Sequence, residues 1–185
     1  MPLVKTQAEG INLADTFDFT GDVSGAGGIS NLQIWRINSN VQSTTSPTVL
    51  TNWTDSHNTN EFKRIGTAWS VSSGVFTPST TGLYQLTFVA EIYNAADARY
   101  IQFDFNYSTN SGANYTALTM YCFLPFVGSN NTYGEFTFPR YFNIADASVF
   151  RFRIKYSAAN TSQYIRGGAD NSISHLVIKR LADAQ

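Results

Sequence analysis

The chain has 185 residues and a formal net charge of −1; 43% of its residues are hydrophobic, 15% are aromatic and only 14% are charged. This length is typical of one domain, and the aromatic content can fill a sizeable core. No basic cluster indicates binding to nucleic acid, and no run of about 18 apolar residues indicates a membrane span. The single cysteine excludes an intrachain disulfide, so packing or neighbouring chains must stabilise the fold.

Residues 1–31 differ from the rest of the chain because they are small, polar and rich in glycine. We interpret 1–31 as an extended anchoring arm, and a disordered tail is the alternative. The low charge favours the arm, since a purely solvating tail is usually more charged. The candidates for anchoring the arm to a partner are its spaced apolar side chains, Ile11, Leu13, Phe17 and Phe19.

Residues 32–185 are predicted to form one domain of short strands joined by polar turns. Apolar and polar residues alternate most clearly in 83–93, 100–107 and 149–156, and a period of two marks a strand with one buried face. Further strands are expected at 32–37, within 38–57, and at 69–76, 115–127, 135–142 and 173–181. Helical periodicity is weak throughout, so the pattern predicts an all-β sandwich or jelly roll.

Two of these strands carry more specific expectations. The apolar segment 115–127 is predicted to be buried on both faces. Pro139 cannot donate a hydrogen bond to a sheet, so 135–142 is predicted to lie at a sheet edge or to contain a bulge.

The segment from Trp69 to Phe88 has a distinctive spacing of aromatic residues. Phe76 follows Trp69 after six residues, Gly82 follows after five more, and Tyr84, Leu86 and Phe88 then occupy every second position. This segment resembles the central signature of the tumour-necrosis-factor-like (TNF-like) jelly rolls, and most of all that of the complement globular heads. Leu86 stands where the signature has phenylalanine, and Arg64 stands where its upstream half has Asn or Asp.

The resemblance implies a TNF-like jelly-roll sandwich over 32–185 that assembles as a homotrimer. It also makes four aromatic residues candidates for the trimer interface or for the core of each protomer: Trp69, Phe76, Tyr84 and Phe88.

The arm is similar to segments near the ends of fibre and decoration proteins of tailed bacteriophages, which often carry a jelly roll of this type. This second resemblance implies a virion protein, most simply a trimeric capsid decoration (cement) protein whose partners are the major capsid protein or other virion proteins. The alternatives are a tail fibre or spike component that binds a host surface glycan, and a secreted, complement-like carbohydrate-binding module.

Residues able to carry chemistry are few. His57 and His175 have no partner at a metal-binding interval, and Cys122 lies in an apolar run typical of a buried thiol. The carboxylates of Glu91, Asp104 and Glu135 are expected on solvent faces. We therefore predict no catalytic residues, no cofactor and no metal ligands.

Two charge features stay open at this stage. Loop aspartates could hold calcium in this fold family, but no spacing singles out Asp55, Asp97 or Asp170. Arg151, Arg153 and Lys155 share one face of a predicted strand. We interpret them as a solvated outer face, with a contact to an acidic partner as the alternative.

Overall fold

The computed structural model describes residues 29–55, 64–96, 99–124, 132–169 and 172–185. These residues form fourteen β-strands and no helix, which confirms the all-β prediction. The strands are β1 (Leu32–Ile37), β2 (Val41–Gln42), β3 (Thr48–Val49), β4 (Trp53–Thr54), β5 (Arg64–Ile65), β6 (Ser70–Ser72), β7 (Val75–Thr77), β8 (Gly82–Asn94), β9 (Ile101–Ser108), β10 (Thr116–Cys122), β11 (Thr132–Ile144), β12 (Arg151–Ala158), β13 (Gln163–Ile165) and β14 (His175–Ala182). The predicted anchoring residues Ile11, Leu13, Phe17 and Phe19 lie outside the described residues.

The first sheet is built around β8. Its 13 residues alternate strictly between buried and half-buried positions, as expected for a strand with one face in the core. Strand β11 pairs antiparallel with β8 over its whole length, and the other edge of β8 pairs first with β14 and then with β13. Strand β1 continues the sheet beyond β14, β4 and β5 pair with β1, and β2 pairs with β13.

The second sheet has the order β10-β9-β12-β7-β6, with β3 also paired to β12. Strands β9 and β12 form its centre through an eight-residue antiparallel register. Both show the predicted alternation, and the even-numbered side chains of β12 from Phe152 to Tyr156 are buried while the odd-numbered ones are half-buried.

The two sheets pack face to face through aromatic rings. Phe88 of the first sheet contacts Phe103 and Phe105 of the second, with ring centroids 5.2 and 6.2 Å apart. Phe76 and Phe152 make a further pair at 6.1 Å within the second sheet. Tilted and edge-to-face arrangements of this kind are the preferred ones, and each pair adds about 0.5–1.5 kcal/mol beyond the burial of its area.

The sandwich has two distinct ends, which matter for the sites described below. The entry end is where residues 1–28 join the sandwich, at the start of β1, with Leu32 opposite Lys179 of β14. The far end is where β1 finishes, and it holds Asn94 of β8 and Ile101 of β9. Asn94 links the two sheets there because its side-chain amide donates to the carbonyl oxygen of Leu124 at 2.9 Å.

The structure corrects two predictions about individual segments. The segment 115–127 is not buried on both faces in its described part, because β10 is a sheet edge where the outward side chains from Thr116 to Tyr121 are exposed. The sequence predicted one short strand within 38–57, whereas the described residues 38–55 hold three. Pro139 does lie on an edge strand among the described residues, and β11 accommodates it without a break in register.

Candidate binding surfaces

The four aromatic residues of the signature lie in the core of the single protomer. Trp69 is 1% exposed, and Phe76, Tyr84 and Phe88 are fully buried. The Trp69 and Tyr84 rings pack edge to face at 5.1 Å, and the Tyr84 hydroxyl lies 2.8 Å from that of Thr80. These four residues therefore fill the sandwich, which is one of the two places that the sequence allowed.

A buried glutamine fixes the position of Trp69. Gln33 of β1 is 2% exposed, and its side-chain oxygen accepts from the backbone N–H of Trp69 at 2.8 Å and from Nε1 of Trp35 at 3.3 Å. Its side-chain nitrogen donates to Oδ1 of Asn31 at 2.7 Å and to the carbonyl oxygen of Thr67 at 3.2 Å. Every polar atom of this buried amide is thus satisfied, as a stable core requires.

Two of the three candidate carboxylates are neighbours. Glu91 and Glu135 lie directly opposite each other in the β8–β11 ladder, and Arg166 forms an ion pair with Glu91. Asp104 belongs to the other sheet, where it lies on the outward face opposite Lys155. It is nevertheless only 8% exposed and accepts a 2.6 Å hydrogen bond from the Thr119 hydroxyl, so the expectation of a solvent-exposed carboxylate is wrong for Asp104.

The remaining reactive groups have structural surroundings. Cys122 is 1% exposed, and burial raises the pKa of its thiol to about 12, so the reactive thiolate is suppressed. Nδ1 of His175 lies 2.8 Å from the carbonyl oxygen of Ser172, while His57 lies outside the described residues.

Two kinds of feature are absent from the described part of the chain. It contains no group of three or more His, Cys, Asp or Glu residues that could hold a metal ion, and no helix in it is long and apolar enough to cross a bilayer. Of the loop aspartates, Asp55 forms an exposed ion pair with Arg64 at 3.6 Å, and Asp97 and Asp170 lie outside the described residues.

The predicted basic row occupies the outward face of the second sheet. The Arg153 guanidinium lies 3.7 Å from the Tyr115 ring centroid, within range of a cation–π interaction. Lys155 lies opposite Asp104 in the β12–β9 ladder, and Arg151 donates to the carbonyl oxygen of Ser148 at 2.9 Å. The two arginines are therefore held by this protomer, which fits the solvated-face interpretation.

A polar cavity of about 370 Å³ opens at the entry end. Its one charged lining residue, Arg180, donates to the Thr81 carbonyl and the Ser30 hydroxyl and pairs with Asp183. Because the guanidinium already has these partners, the cavity is better explained as the junction through which the chain enters β1.

Aromatic side chains mark the outward face of the first sheet. Tyr133, Tyr93 and Tyr164 lie side by side across β11, β8 and β13. Their rings stack, with centroids 5.5 and 4.9 Å apart and interplanar angles of 21° and 17°. Tyr133 is 54% exposed and Tyr141, on the same face of β11, is 61% exposed. We call Tyr133 and Tyr141 the β11 surface.

The entry end of the same sheet carries a second set of exposed apolar side chains, on the edge strand β5, before β1 and near the end of β14. Ile65 of β5 lies opposite Leu32 of β1. The members of this entry-end apolar surface are each 42–43% exposed: Ile29, Ile65 and Leu181.

A third group of exposed aromatic residues lies at the far end, on the outward face of the second sheet. Tyr121 and Phe123 are 52% and 68% exposed, and their rings stack at 6.4 Å. The Tyr100 ring meets that of Tyr121 nearly at a right angle, with centroids 5.4 Å apart. We call Tyr100, Tyr121 and Phe123 the far-end aromatic cluster.

The sequence alone did not identify these three surfaces. Tyr121 and Phe123 fell in a segment predicted to be buried, and Tyr133 fell between the strands predicted at 115–127 and 135–142. Tyr93, Tyr133 and Tyr164 are far apart in sequence, so only the register of three strands brings them together.

Comparisons with known proteins identify the fold. No protein-family model matches the sequence, and no curated protein matches it. Among solved structures, Eiger TNF from S. frugiperda superposes with a TM-score of 0.54 at 12% identity, covering 83% of this chain and 94% of that one. Murine APRIL is also similar, at 12% identity and a TM-score of 0.46 over 82% of this chain and 98% of that one. Together with the two antiparallel sheets described above, the Eiger TNF match shows that the chain has a TNF-like, all-β jelly-roll fold, as the sequence predicted.

Proposed function

We propose that this chain is a structural protein of a bacteriophage virion, a homotrimeric capsid decoration protein attached through residues 1–31. The observation that carries the trimer is the pair of unlike apolar surfaces of the first sheet, the β11 surface on its edge strand and the entry-end apolar surface around the start of β1. The virion assignment comes from the similarity of the arm to phage structural proteins.

The arrangement of the two surfaces favours a closed ring over a two-fold dimer. A two-fold dimer uses the same patch on both subunits, whereas a cyclic assembly joins one patch to a different patch on the next copy. The β11 surface is aromatic and the entry-end apolar surface is aliphatic. We therefore expect each surface to contact the other surface on a neighbouring copy, and not the same surface. Exposed apolar residues concentrated in patches commonly mark such interaction sites.

The position of the arm supports a display role. Residues 1–28 join the sandwich at the entry end, so a chain tethered through them directs its far end away from the particle.

The trimer is tested by mass photometry at micromolar concentration. The expected species has a mass of about 60 kDa, three times the 20.5 kDa chain. Tyr133→Arg and Leu181→Arg should each release monomers, because each places a charge in one of the two surfaces. Ala113→Arg, in the exposed turn between β9 and β10, is the matched control and should leave the assembly intact.

Mixing the two interface variants tests the heterologous arrangement directly. Tyr133→Arg retains an intact entry-end apolar surface and Leu181→Arg retains an intact β11 surface, so together they can form one wild-type interface. We expect a two-chain species of about 40 kDa in the mixture, double the 20.5 kDa chain, and in neither variant alone. A wild-type mass near 20 kDa at micromolar concentration would rule out the trimer.

The virion assignment needs its own experiment. Cryo-electron microscopy of a particle that carries this protein should show hundreds of copies on the capsid. Deleting residues 1–31 should abolish attachment while circular dichroism shows that the β-sandwich still folds. If the truncated protein still binds particles, the arm is not the anchor.

A tail fibre or spike component that binds a host glycan is the second candidate, and the far-end aromatic cluster favours it. That cluster lies at the end opposite the arm, where a receptor-binding protein presents its binding site. Copy number separates the two candidates, because a fibre component is present in a handful of copies per particle.

A further inference from the structure

We propose that the far-end aromatic cluster is a carbohydrate-binding site, in which Tyr121 and Phe123 stack against a pyranose ring. The proposal rests on the tethering through residues 1–31 described above, because this tether makes the far end the outward one. It holds for either location on the particle.

The geometry of the cluster provides an open aromatic surface. The Tyr121 and Phe123 rings are inclined by only 27°, so they form one continuous strip, and the Tyr100 ring stands across it at 78°. A pyranose has one face of C–H bonds, which the negative face of an aromatic ring attracts. The strip can therefore stack against the C–H face of a sugar, and the perpendicular Tyr100 ring limits how far the sugar extends on one side.

Polar side chains border this strip. Gln102 lies directly opposite Tyr121 in the β9–β10 ladder. Thr119 precedes Tyr121 on the same exposed face of β10, and the exposed Arg99 precedes Tyr100. The Gln102 amide and the Thr119 hydroxyl each donate one hydrogen to Asp104. The groups that remain for sugar hydroxyls are the Gln102 side-chain oxygen and second N–H, the Thr119 oxygen and the Arg99 guanidinium. Ligand sites combine a few such polar groups with aromatic surface.

The exposed area of the cluster matches a small ligand. An aromatic side chain presents about 150–250 Å² when fully exposed, so the exposed fractions of 52% and 68% leave roughly 250 Å² between Tyr121 and Phe123. An area of a few hundred Å² corresponds to one or two sugar rings.

The site is also separate from the surfaces assigned to self-association. The β11 surface and the entry-end apolar surface belong to the first sheet, whereas Tyr121 lies on the outward face of the second. A trimer built through the first sheet leaves the cluster available for a ligand.

Binding is tested with the full-length protein and four immobilised polysaccharides: mannan, dextran, galactan and the acidic polymer alginate. Biolayer interferometry should show binding to at least one of them. Tyr121→Ala and Phe123→Ala should each weaken that binding about tenfold or more, because they remove the stacking face. The matched control is Thr116→Ala, which truncates an exposed side chain at the opposite end of the same strand β10, and it should bind as wild type does.

Mass photometry of the same variants separates this proposal from the proposed function. If Tyr121→Ala and Phe123→Ala keep the wild-type mass and lose binding, the site is established whether or not the protein is a trimer. If instead they change the mass, a second copy covers the cluster and the carbohydrate proposal is wrong. Failure of all four polysaccharides to bind the wild type, or unchanged binding by both variants, also overturns it.

Discussion

Replacing Gln33 with leucine should destabilise the protein by about 3 kcal/mol, although leucine is more hydrophobic and of similar size. The substitution removes the acceptor of the Trp69 backbone N–H and of Trp35 Nε1, and it removes the donor to Asn31 Oδ1. Each buried polar group that loses its partner costs about 1–3 kcal/mol. The Trp35 bond is long at 3.3 Å, so its loss is at the low end of that range.

Two terms reduce the total cost. The Thr67 carbonyl oxygen keeps a 2.7 Å bond from the Asn31 amide and a 3.0 Å bond from the Ser79 hydroxyl, so it is not orphaned. Burying the leucine side chain returns about 1.5–3 kcal/mol. The net destabilisation of about 3 kcal/mol is a large share of the free energy of unfolding of a typical domain, which is roughly 5–15 kcal/mol.

Urea unfolding followed by tryptophan fluorescence measures the effect, at one fixed protein concentration because assembly contributes to stability. Gln42→Leu is the matched control. Gln42 is exposed and makes one hydrogen bond, to the Thr161 carbonyl, so its loss should cost less than about 1 kcal/mol. The reasoning is wrong if the two substitutions have equal effects.

A second variant, Gln33→Glu, adds a pH test of the same bonds. A carboxylate can still accept from Trp69, but its other oxygen would face the acceptor atoms Asn31 Oδ1 and Thr67 O, where only a protonated oxygen can donate. Burial and these acceptors raise the pKa of the introduced carboxyl in the folded state. Its destabilisation relative to wild type should therefore be small below about pH 4, where both states are protonated, and should grow as the pH rises, by at most about 1.4 kcal/mol per pH unit. A destabilisation that is constant from pH 4 to 7 would contradict the assigned hydrogen bonds.

Three further predictions follow from buried positions. Phe88→Ala should lower the free energy of unfolding in urea by about 3–5 kcal/mol, because the ring is fully buried between the sheets. The exposed Tyr141→Ala should lower it by less than about 1 kcal/mol, and an equally small effect of Phe88→Ala would contradict the place of Phe88 in the core. Gly82→Ala should lower the free energy of unfolding by about 1–3 kcal/mol, because φ of Gly82 is +153° and an added Cβ would lie 2.9 Å from the Ala182 carbonyl oxygen. An unchanged unfolding midpoint would contradict this prediction, since it would mean that the backbone relaxes there without strain. Cys122 should react with a thiol reagent at pH 8 far more slowly in the native protein than in urea, because burial raises its pKa to about 12. Equal labelling rates in the two states would refute this expectation. The free energy of unfolding should also decline above about pH 9, because the thiol then ionises in the unfolded state and stays neutral in the native state.

The sequence predicted the structure best for strands in which every second side chain is buried and the others face outward. The alternation in 83–93 and 149–156 predicted β8 and β12 with their inward side chains, because both strands lie inside a sheet and bury one face. The spacing from Trp69 to Phe88 singled out four aromatic residues for the core or the trimer interface, and the structure places all four in the core. Each of these patterns is local, and local patterns can be read from a single chain.

What the sequence could not supply depends on partners distant in the chain. Whether β10 is central or at an edge is decided by which strands flank it, so its apolar residues predicted burial that the sheet order does not provide. The strands β2 to β5 have only two residues each and exist because other strands pair with them. The stacked tyrosines of β8, β11 and β13 likewise depend on a register set by long-range pairing.

The distribution of exposed apolar side chains connects the fold to both proposals. A β-sandwich with one tether can present three kinds of surface, which are its two outer faces, its edges and the end opposite the tether. Here the large exposed apolar side chains of the described residues lie on β11, at the entry end of the first sheet and at the far end of the second, and the centre of the second sheet carries the basic row instead. The proposed assembly through the first sheet would bury the first two groups, whereas the far-end aromatic cluster would remain in solvent. Trimerisation therefore gives no reason for a Phe that is 68% exposed at that end, and a ligand of its own would give one.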